Sequence, residues 1–433
     1  MTVWIVNPFD NLPPEGYRPQ RYWLMASAVA RAGHRVTYWS SDFSHAHKAA
    51  RNLKCLGPLT AISSTEAVHS PKSLAPNAFI AAEGFRLLLV PTRPYPTNIC
   101  LRRIISHRTL ARTWRQMASA VPERPDVIIA SLPPLSLAAS ALAFSREVGA
   151  LFVADIQDAW PETFYRVAPA WLFAPLRSTA RRIYRAADAI TGVATRYLDL
   201  AKSYGATAPM HLCHLGIELK VKSEEWRVKS PCPPPSTLNS QLFTLHSSLF
   251  TLLYLGAMGK SYDLETVIDA VKEMEDVAFD IAGTGPKEAA LRKRAADCPR
   301  IRFHGYLASD ELQRLLANAD AGVIPMFPDS CVGVPNKIAD YAAAGLRVIN
   351  SLPGETADII SRFAAGTFYT AGDVASFKAA VNALRAPSPA FAPDDFRAAF
   401  DADRLYAGYV SFVQSVSGQG LPREASSPSP PLP

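Results

Sequence analysis

The chain has 433 residues and a mass of 47.1 kDa, which is long enough for two or three domains. Hydrophobic residues make up 48% of it and charged residues 19%, a composition that supports buried cores and excludes disorder along the whole chain. The mean hydropathy is +0.03, yet no charge-free apolar run reaches the roughly 18 residues that a membrane-spanning helix requires.

The net charge of +7 is unevenly distributed. Residues 1–200 contain 23 Lys and Arg against 13 Asp and Glu, a surplus of +10, whereas residues 201–433 contain 22 against 25, a balance of −3. This asymmetry indicates a polyanionic partner for the first half, either an anionic membrane face or nucleic acid. The six cysteines form no CxxC motif, which argues against a disulfide framework or a zinc site and favours a reducing compartment.

The first half alternates short apolar runs with amphipathic stretches. Its first residues lack the basic leader and cleavage site of a signal peptide, so we expect the chain to start with a strand at 3–6. Further strands are predicted at 35–39, 86–90, 127–130, 151–154 and 189–193, and helices at 22–31 and 135–148. Such an alternation predicts a parallel, doubly wound sheet.

The second half repeats the pattern, with strands predicted at 250–255, 277–281, 301–303, 321–325 and 347–349. We therefore predict an α/β protein with two Rossmann-like domains, residues 1–216 and 249–400, and a ligand cleft between the carboxyl ends of both sheets. A proline-rich linker with a partial seven-residue duplication occupies 217–248. We expect 401–420 to form a helix that returns to the first domain and 421–433 to be a disordered tail.

Glycines follow three successive strands of the second half, namely Gly256, Gly283 with Gly285, and Gly305. A glycine after a strand is usually only a tight turn. Three such strand ends in one domain instead indicate that the backbone approaches a nucleotide along one edge. Lys260, close to the first of these turns, is expected to add a positive charge where a helix N-terminus favours phosphate.

The stretch from 325 to 349 joins a strand, a loop, a helix and another strand. Backbone amides of the loop residues Gly333, Val334, Pro335 and Asn336 are expected to lie against a diphosphate, and Lys337 to add a second positive contact. Asp340 follows on the first turns of the helix, where a carboxylate can accept both hydroxyls of a ribose. The alternative for Asp340 is a solvated helix residue.

This stretch resembles the signature region of retaining GT-B glycosyltransferases of family 4, especially their bacterial surface-polysaccharide branch. The branch pattern Pro-x-Lys-x-x-Glu-Tyr-x-Ala-x-Gly is matched by Pro335, Lys337, Asp340, Tyr341, Ala343 and Gly345, with Asp in place of Glu. The resemblance implies a GT-B fold with a nucleotide-sugar donor in the second domain and an acceptor in the first. It also implies that no metal or other cofactor is needed, because basic groups and helix N-termini neutralise the leaving diphosphate.

The sequence departs from the family pattern at two positions. The first of the family's two acidic residues is replaced by Val332, which leaves the contact that orients the donor sugar unassigned. The second is Asp340 instead of glutamate, which shortens the reach to the ribose by one methylene. The spacing of His45 and His47 is compatible with a metal, but an isolated HxH is more often a surface or acceptor contact, so no metal is assigned.

The first half is expected to supply phosphate and acceptor contacts. Its long loop after the first strand contains Glu15, Gly16, Arg18 and Arg21, and the resemblance places this loop near the donor phosphates. A second candidate segment follows strand 151–154 and contains Asp155, Asp158, Trp160 and Glu162. It resembles the branch sequence Arg-Asp-Leu-Trp-Pro-Glu.

In that resemblance Asp158 occupies the key acidic position and is the predicted catalytic residue. Trp160 is expected to stack on a sugar face. The alternative interpretation of this segment is a capping aspartate beside a core tryptophan.

Two arginine-rich segments, 101–115 and 171–185, place arginines between bulky apolar residues at helical spacing. Such helices can lie at a membrane interface, although an ordinary amphipathic helix is an equal alternative. No nucleic-acid-binding motif occurs, so a nucleic-acid partner is not expected.

We therefore predict a retaining glycosyltransferase in cell-surface polysaccharide synthesis. It would transfer a sugar from a nucleotide donor to a lipid-linked saccharide or polyprenyl-diphosphate acceptor, in the cytoplasm or at the inner face of the membrane. A sugar-nucleotide epimerase of GT-B fold and a non-catalytic nucleotide-sugar-binding subunit are the alternatives.

Overall fold

The computed structural model describes residues 1–15, 17–51, 60–61, 78–81, 83–98, 100–166, 168–218, 249–307 and 309–418. The predictions made for Gly16, for residues 219–248 of the linker and for the tail lie outside these ranges.

The first domain is built on a sheet whose described strands have the order β11-β10-β9-β8-β1-β2-β7-β6-β5. Its strands are β1 (Thr2–Val6), β2 (Arg35–Ser41), β5 (Thr60–Ala61), β6 (Ala78–Ile80), β7 (Arg86–Val90), β8 (Val127–Leu132), β9 (Leu151–Ile156), β10 (Ala189–Gly192) and β11 (Met210–Leu212). β3 (Phe43–Ser44) and β4 (Ala49–Ala50) form a separate hairpin. Strands β11 to β7 are parallel, and β6 and β5 extend the sheet in antiparallel fashion.

Helices cover both faces of this sheet. They are α1 (Arg21–Arg31), α2 (Leu101–Ala120), α3 (Leu135–Val148), α4 (Ala174–Ala186) and α5 (Thr195–Ser203). The sequence explains their bounds in part, because α3 ends at Gly149, whose φ of +72° is the left-handed conformation that glycine adopts readily. α2 packs against α3, and α3 packs against α4, so these three helices lie side by side on one face.

The second domain has a parallel sheet with the order β14-β13-β12-β15-β16-β17. Its strands are β12 (Phe250–Leu255), β13 (Val277–Ala282), β14 (Ile301–Gly305), β15 (Ala321–Ile324), β16 (Arg347–Asn350) and β17 (Gly366–Phe368). The helices are α6 (Leu264–Lys272), α7 (Glu288–Arg294), α8 (Ser309–Asn318), α9 (Lys337–Ala343), α10 (Glu355–Arg362), α11 (Val374–Arg385), α12 (Pro393–Ala398) and α13 (Ala402–Val416). The prediction of two Rossmann-like, doubly wound domains is confirmed.

Helix α13 crosses back to the first domain, where it packs against α1. Its buried Tyr406 and Tyr409 rings lie 5.8 Å from the guanidinium of Arg21, and His211 stacks on Phe412 at 5.0 Å. The last helix therefore ties the two ends of the described chain together. Within the described residues, no helix combines the length and the apolar character needed to cross a bilayer.

Candidate active site

The strand order reverses between β1 and β8 in one sheet and between β12 and β15 in the other, so the loops after β1 and β12 leave from the switch points of both domains. The loop after β1 contacts the second domain. Arg18, from the loop after β1, makes a bidentate ion pair with Asp340 of α9. Beside it, the ring of Tyr17 lies edge-on to that of Tyr306, which follows β14. The carboxyl ends of both sheets thus line one cleft.

The predicted ribose ligand Asp340 is buried at this meeting point. Both carboxylate oxygens accept hydrogen bonds from Arg18, one of them at 3.1 Å. A ribose diol at Asp340 would therefore share or replace the contacts of Arg18, a residue of the long loop that was expected near the donor phosphates.

Lys337 lies one turn before Asp340 and is buried beneath the Gly256 turn. Its amine lies 4.6 Å from the ring centre of Tyr254 and 4.3 Å from that of Tyr262, in cation–π geometry. Burial lowers the pKa of Lys337 to about 7, although the charge of Asp340 opposes the shift. A buried amine of this kind responds strongly to a nearby anion, because an anion restores the charged form.

The glycines after β12 and β13 have a packing explanation. Gly283 has a φ of +133°, and a Cβ there would lie 2.0 Å from the carbonyl oxygen of Gly256. A Cβ on Gly285 would lie 2.5 Å from the carbonyl oxygen of Met258. Gly283 and Gly285 are thus required for backbone-to-backbone contact between two turns. The exposed Lys260 projects from the same turn region.

The loop before α9 packs on the first domain. The amide of Gly333 donates to the Tyr197 hydroxyl at 3.4 Å, and a Cβ on Gly333 would lie 2.4 Å from the Cβ of Ala194. Arg196 donates to the carbonyl oxygens of Ser330 and Val332. The Gly333 amide is therefore not available to a diphosphate as predicted, because a side chain of the first domain occupies it.

The rest of that loop leaves fewer donors than predicted. Pro335 has no N–H, and α9 is only seven residues long. Within the described residues, the amides of Val334 and Asn336 have no protein acceptor. The positive charges beside Asp340 come from the side chains of Arg18 and Lys337.

In the loop after β1, which was predicted to bind phosphate, some of the predicted residues instead contact the protein itself. Glu15 forms an ion pair with the buried Arg51 and accepts from the amide of Leu12 at 3.2 Å, so its carboxylate holds the loop itself. The assignment of Glu15 to ligand binding is corrected to a structural role.

Arg21 is a second correction. Its guanidinium is buried and donates to both oxygens of Asp155, at 3.0 and 2.8 Å, and to the carbonyl oxygen of Cys213. Burial alone would raise the pKa of Asp155, but the charge of Arg21 and hydrogen bonds from Arg21, Thr191 and Tyr22 hold it below its ordinary value. Arg21 and Asp155 form a structural ion pair in the core, because every contact of the pair is internal to the protein.

Asp158 occupies a different environment from Asp155. It is partly buried and accepts from the Thr163 hydroxyl at 3.1 Å and from the Ala159 amide at 2.9 Å. Burial raises the pKa of Asp158, with Arg103 among the groups that oppose the shift. Burial and, to a lesser extent, the charge of Asp158 raise the pKa of Tyr197, which contacts the loop before α9.

Trp160 does not present an open face. It is buried, with the Arg103 guanidinium 4.9 Å from its ring centre and Phe164 edge-on at 4.6 Å. The prediction that Trp160 stacks on a sugar is therefore wrong for this arrangement, since Arg103 covers the ring. Arg103 is a cleft residue that the sequence did not single out, because its helical spacing suggested only a basic surface.

The expectation that the protein needs no metal stays a prediction. His45 and His47 diverge, since His45 contacts Tyr95 and His47 contacts Tyr17. Within the described residues, no group of three His, Cys, Asp or Glu side chains has the geometry of a metal site.

Part of the second domain is similar to a known protein family. Residues 250–386 match the family model described as "Glycosyl transferases group 1". This part of the chain is similar to group 1 glycosyl transferases. It contains every residue predicted for the donor, from Gly256 to Asp340.

Among curated proteins, a sulfoquinovosyl transferase of Arabidopsis thaliana is 26% identical over 294 residues, which cover 65% of this chain and 52% of the relative. The chain thus spans about half the length of that relative.

Among solved structures, sucrose-phosphate synthase of Thermosynechococcus elongatus has a TM-score of 0.63 at 12% identity and covers 96% of both chains. The Anabaena HepE protein in complex with UDP and glucose has a TM-score of 0.63 at 12% identity and covers 96% of this chain and 100% of its own. The predicted GT-B fold is therefore confirmed.

Proposed function

We propose that the protein transfers a sugar from a nucleotide donor to a lipid-linked saccharide or polyprenyl-diphosphate acceptor in cell-surface polysaccharide synthesis. The observation that carries this proposal is the placement of Lys337 and Asp340 on one helix, in a segment similar to group 1 glycosyl transferases and in contact with the first domain through Arg18. The relatives with bound UDP and UDP-glucose support a nucleotide-sugar donor.

The second domain would hold the donor. Asp340 would accept the ribose hydroxyls once Arg18 moves aside, and Lys337 and Lys260 would neutralise the diphosphate. The amides of Val334 and Asn336 lie beside the same helix. Neutralising the leaving group is the main contribution the protein can make here, because the negative charge of the diphosphate grows as its bond to the sugar breaks.

Transfer would retain the anomeric configuration. The acceptor hydroxyl oxygen would form a bond to the anomeric carbon on the face from which the diphosphate leaves. The electrons of the broken C–O bond would go to the diphosphate, which would also receive the hydroxyl proton. Asp158 would line the sugar site and orient the acceptor, and no metal or other cofactor would take part.

An anionic membrane surface is the proposed location of the acceptor. Helices α2 and α4 carry five and four arginines and no acidic residue, and they flank α3 on one face of the sheet. A groove of about 490 Å³ on this face is lined by Arg108, Arg112 and Arg115. This charge pattern is complementary to anionic lipid headgroups.

The location is tested by sedimentation with vesicles of phosphatidylglycerol and phosphatidylcholine. Replacing the exposed Arg102, Arg108, Arg181 and Arg182 with glutamine should abolish binding to anionic vesicles. Unchanged binding of the folded variant would disprove a membrane role for this face.

The activity is tested by incubating the purified protein with a panel of radiolabelled nucleotide sugars and a bacterial membrane extract. Label in the lipid fraction is the expected result. Donor binding without transfer would support the non-catalytic subunit instead, and an epimerised sugar nucleotide without acceptor would support the epimerase.

A further inference from the structure

A cluster of aromatic rings and cations lies at the carboxyl edge of the first sheet, beside Asp158. At its centre is Tyr95, which follows β7. The Lys48 amine lies 5.2 Å from the centre of this ring and the Arg103 guanidinium 5.8 Å from it. Two cations therefore share one ring, and Arg103 also covers Trp160.

Among the described residues, no carboxylate is paired with either of the two cations. No carboxylate of the described residues lies within the 4.0 Å of an ion pair with Lys48 or Arg103, and Asp158 acts on Arg103 only at longer range. Burial lowers the pKa of Lys48 to about 8, and the charge of Arg103 adds to the effect. Neighbouring cations without a counter-ion are unfavourable unless an anion binds between them.

The neighbouring histidines do not supply further charge. Burial, with Lys48 and Arg103 nearby, lowers the pKa of His45 to about 3, and burial with Arg103 lowers the pKa of His107 to about 3. Both rings are therefore neutral at physiological pH. The cluster is a neutral aromatic lining around two fixed cations, which suits a phosphate better than a sugar alone.

Helix α2 connects this cluster to an apolar surface. Arg103 and His107, one turn apart, point toward the cluster, whereas Leu101, Ile104 and Ile105 point outward. These three side chains are 77%, 46% and 50% exposed, although each is a large hydrophobic residue. The start of α2 thus carries a cation on the face toward the cluster and exposed apolar side chains on the outer face.

We propose that Arg103 and Lys48 bind the phosphate or diphosphate of a lipid acceptor, while Leu101, Ile104 and Ile105 contact its hydrocarbon chain or the bilayer. The proposal rests on the proposed glycosyl transfer and adds the position of the acceptor phosphate. It places the acceptor sugar next to Asp158, because Arg103 lies within electrostatic range of that carboxylate.

The test compares three acceptors with the wild type and with the variants Arg103→Gln and Lys48→Gln. The acceptors are a polyprenyl-diphosphate sugar, the corresponding soluble sugar phosphate and the unphosphorylated sugar. Loss of a charged hydrogen bond to phosphate should raise KM for the lipid acceptor about 10- to 100-fold in each variant. The donor Kd, measured by calorimetry, should not change, and Arg103→Lys should recover part of the loss.

Arg35→Gln is the matched control, since Arg35 is 79% exposed at the opposite end of the sheet. An unchanged acceptor KM in Arg103→Gln and Lys48→Gln would overturn the phosphate site. Replacing Leu101, Ile104 and Ile105 with serine should raise KM only for the lipid acceptor. If that variant behaved as the wild type while the cation variants lost the soluble sugar phosphate, the lipid assignment would be wrong.

A direct binding measurement separates this proposal from the proposed activity. Vesicles containing a polyprenyl phosphate should retain the wild-type protein better than Arg103→Gln, whether or not a donor sugar is found. Equal retention of the two proteins would contradict the phosphate site even if transfer were demonstrated. A wild type that binds such vesicles but transfers no sugar would contradict the activity alone.

Discussion

Replacing Asp155 with asparagine should destabilise the first domain without altering the donor site. The side chains of Arg21 and Asp155 are 2% and 0% exposed, so the substitution leaves a guanidinium buried without its counter-ion. Asp155 accepts hydrogen bonds from Arg21, Tyr22, Thr191 and Gln157, at distances of 2.6 to 3.0 Å. Breaking a buried pair by removing one partner costs about 3–5 kcal/mol.

Thermal unfolding followed by circular dichroism measures the effect. A domain of this size loses about 2–4 °C of Tm per kcal/mol, so a decrease of about 6–20 °C is expected. The matched control is Asp403→Asn, which removes the partner of Arg31 from a pair whose side chains are 73% and 60% exposed. That exposed pair contributes at most about 1 kcal/mol.

Equal Tm changes in Asp155→Asn and Asp403→Asn would refute the structural role of the Arg21 pair. A folded Asp155→Asn protein with a normal Tm and a much weaker donor or acceptor affinity would show instead that the pair belongs to the ligand site.

Three further results are expected. Donor affinity, measured by calorimetry, should fall as the pH rises from 7 to 9, because the pKa of Lys337 is about 7 in the free protein and rises beside a diphosphate. Lys337→Met should abolish this pH dependence, and a pH dependence that persists in the variant would exclude Lys337 as its source. Gly283→Ala should lower Tm because the added Cβ would overlap the Gly256 carbonyl, whereas Gly408→Ala, in an open helical position, should raise the free energy of unfolding by about 1 kcal/mol. Similar Tm values for the two variants would contradict the close contact between Gly283 and Gly256. The pKa of Asp155 is held below its ordinary value, so the stability that its charge contributes is present above the unfolded pKa of about 3.9 and is lost as the pH falls through the folded pKa. The Tm of the wild type should therefore approach that of Asp155→Asn in acid, and a Tm difference that stays constant with pH would contradict this.

The strands of both sheets could be predicted because parallel strands are buried on both faces and appear as short apolar runs. Residues 86–90 and 250–255 were predicted with the bounds that the structure has. The antiparallel strand β6 (Ala78–Ile80) was missed, since its three residues give no periodic signal of their own and its pairing with β7 is set by tertiary structure.

The candidate site was less predictable than the fold. Sequence spacing brought Lys337 and Asp340 together because they share one helix. It could not show that Arg18 reaches Asp340 from 322 residues away, whereas Arg21, three positions further on, turns into the core. The local sequence around the two arginines gives no reason to expect different environments, and only the packing of the loop after β1 distinguishes them.

The role of the glycines after β13 was equally ambiguous from the sequence. Gly283 and Gly285 follow a strand, as glycines of nucleotide sites do, but the structure shows backbone atoms of a neighbouring turn where their side chains would be. Such a contact joins residues that are 27 positions apart in both pairs, which no local pattern reveals.

We expect Asp340, in the segment that is similar to group 1 glycosyl transferases, to bind the ribose of a nucleotide-sugar donor. The most direct measurement is the Kd of the preferred nucleotide sugar for the wild type and for Asp340→Asn, by calorimetry on proteins of equal Tm. We expect saturable binding to the wild type and an affinity about 10- to 100-fold weaker in Asp340→Asn, since a charged hydrogen bond is lost. An unchanged Kd in the folded variant would contradict it.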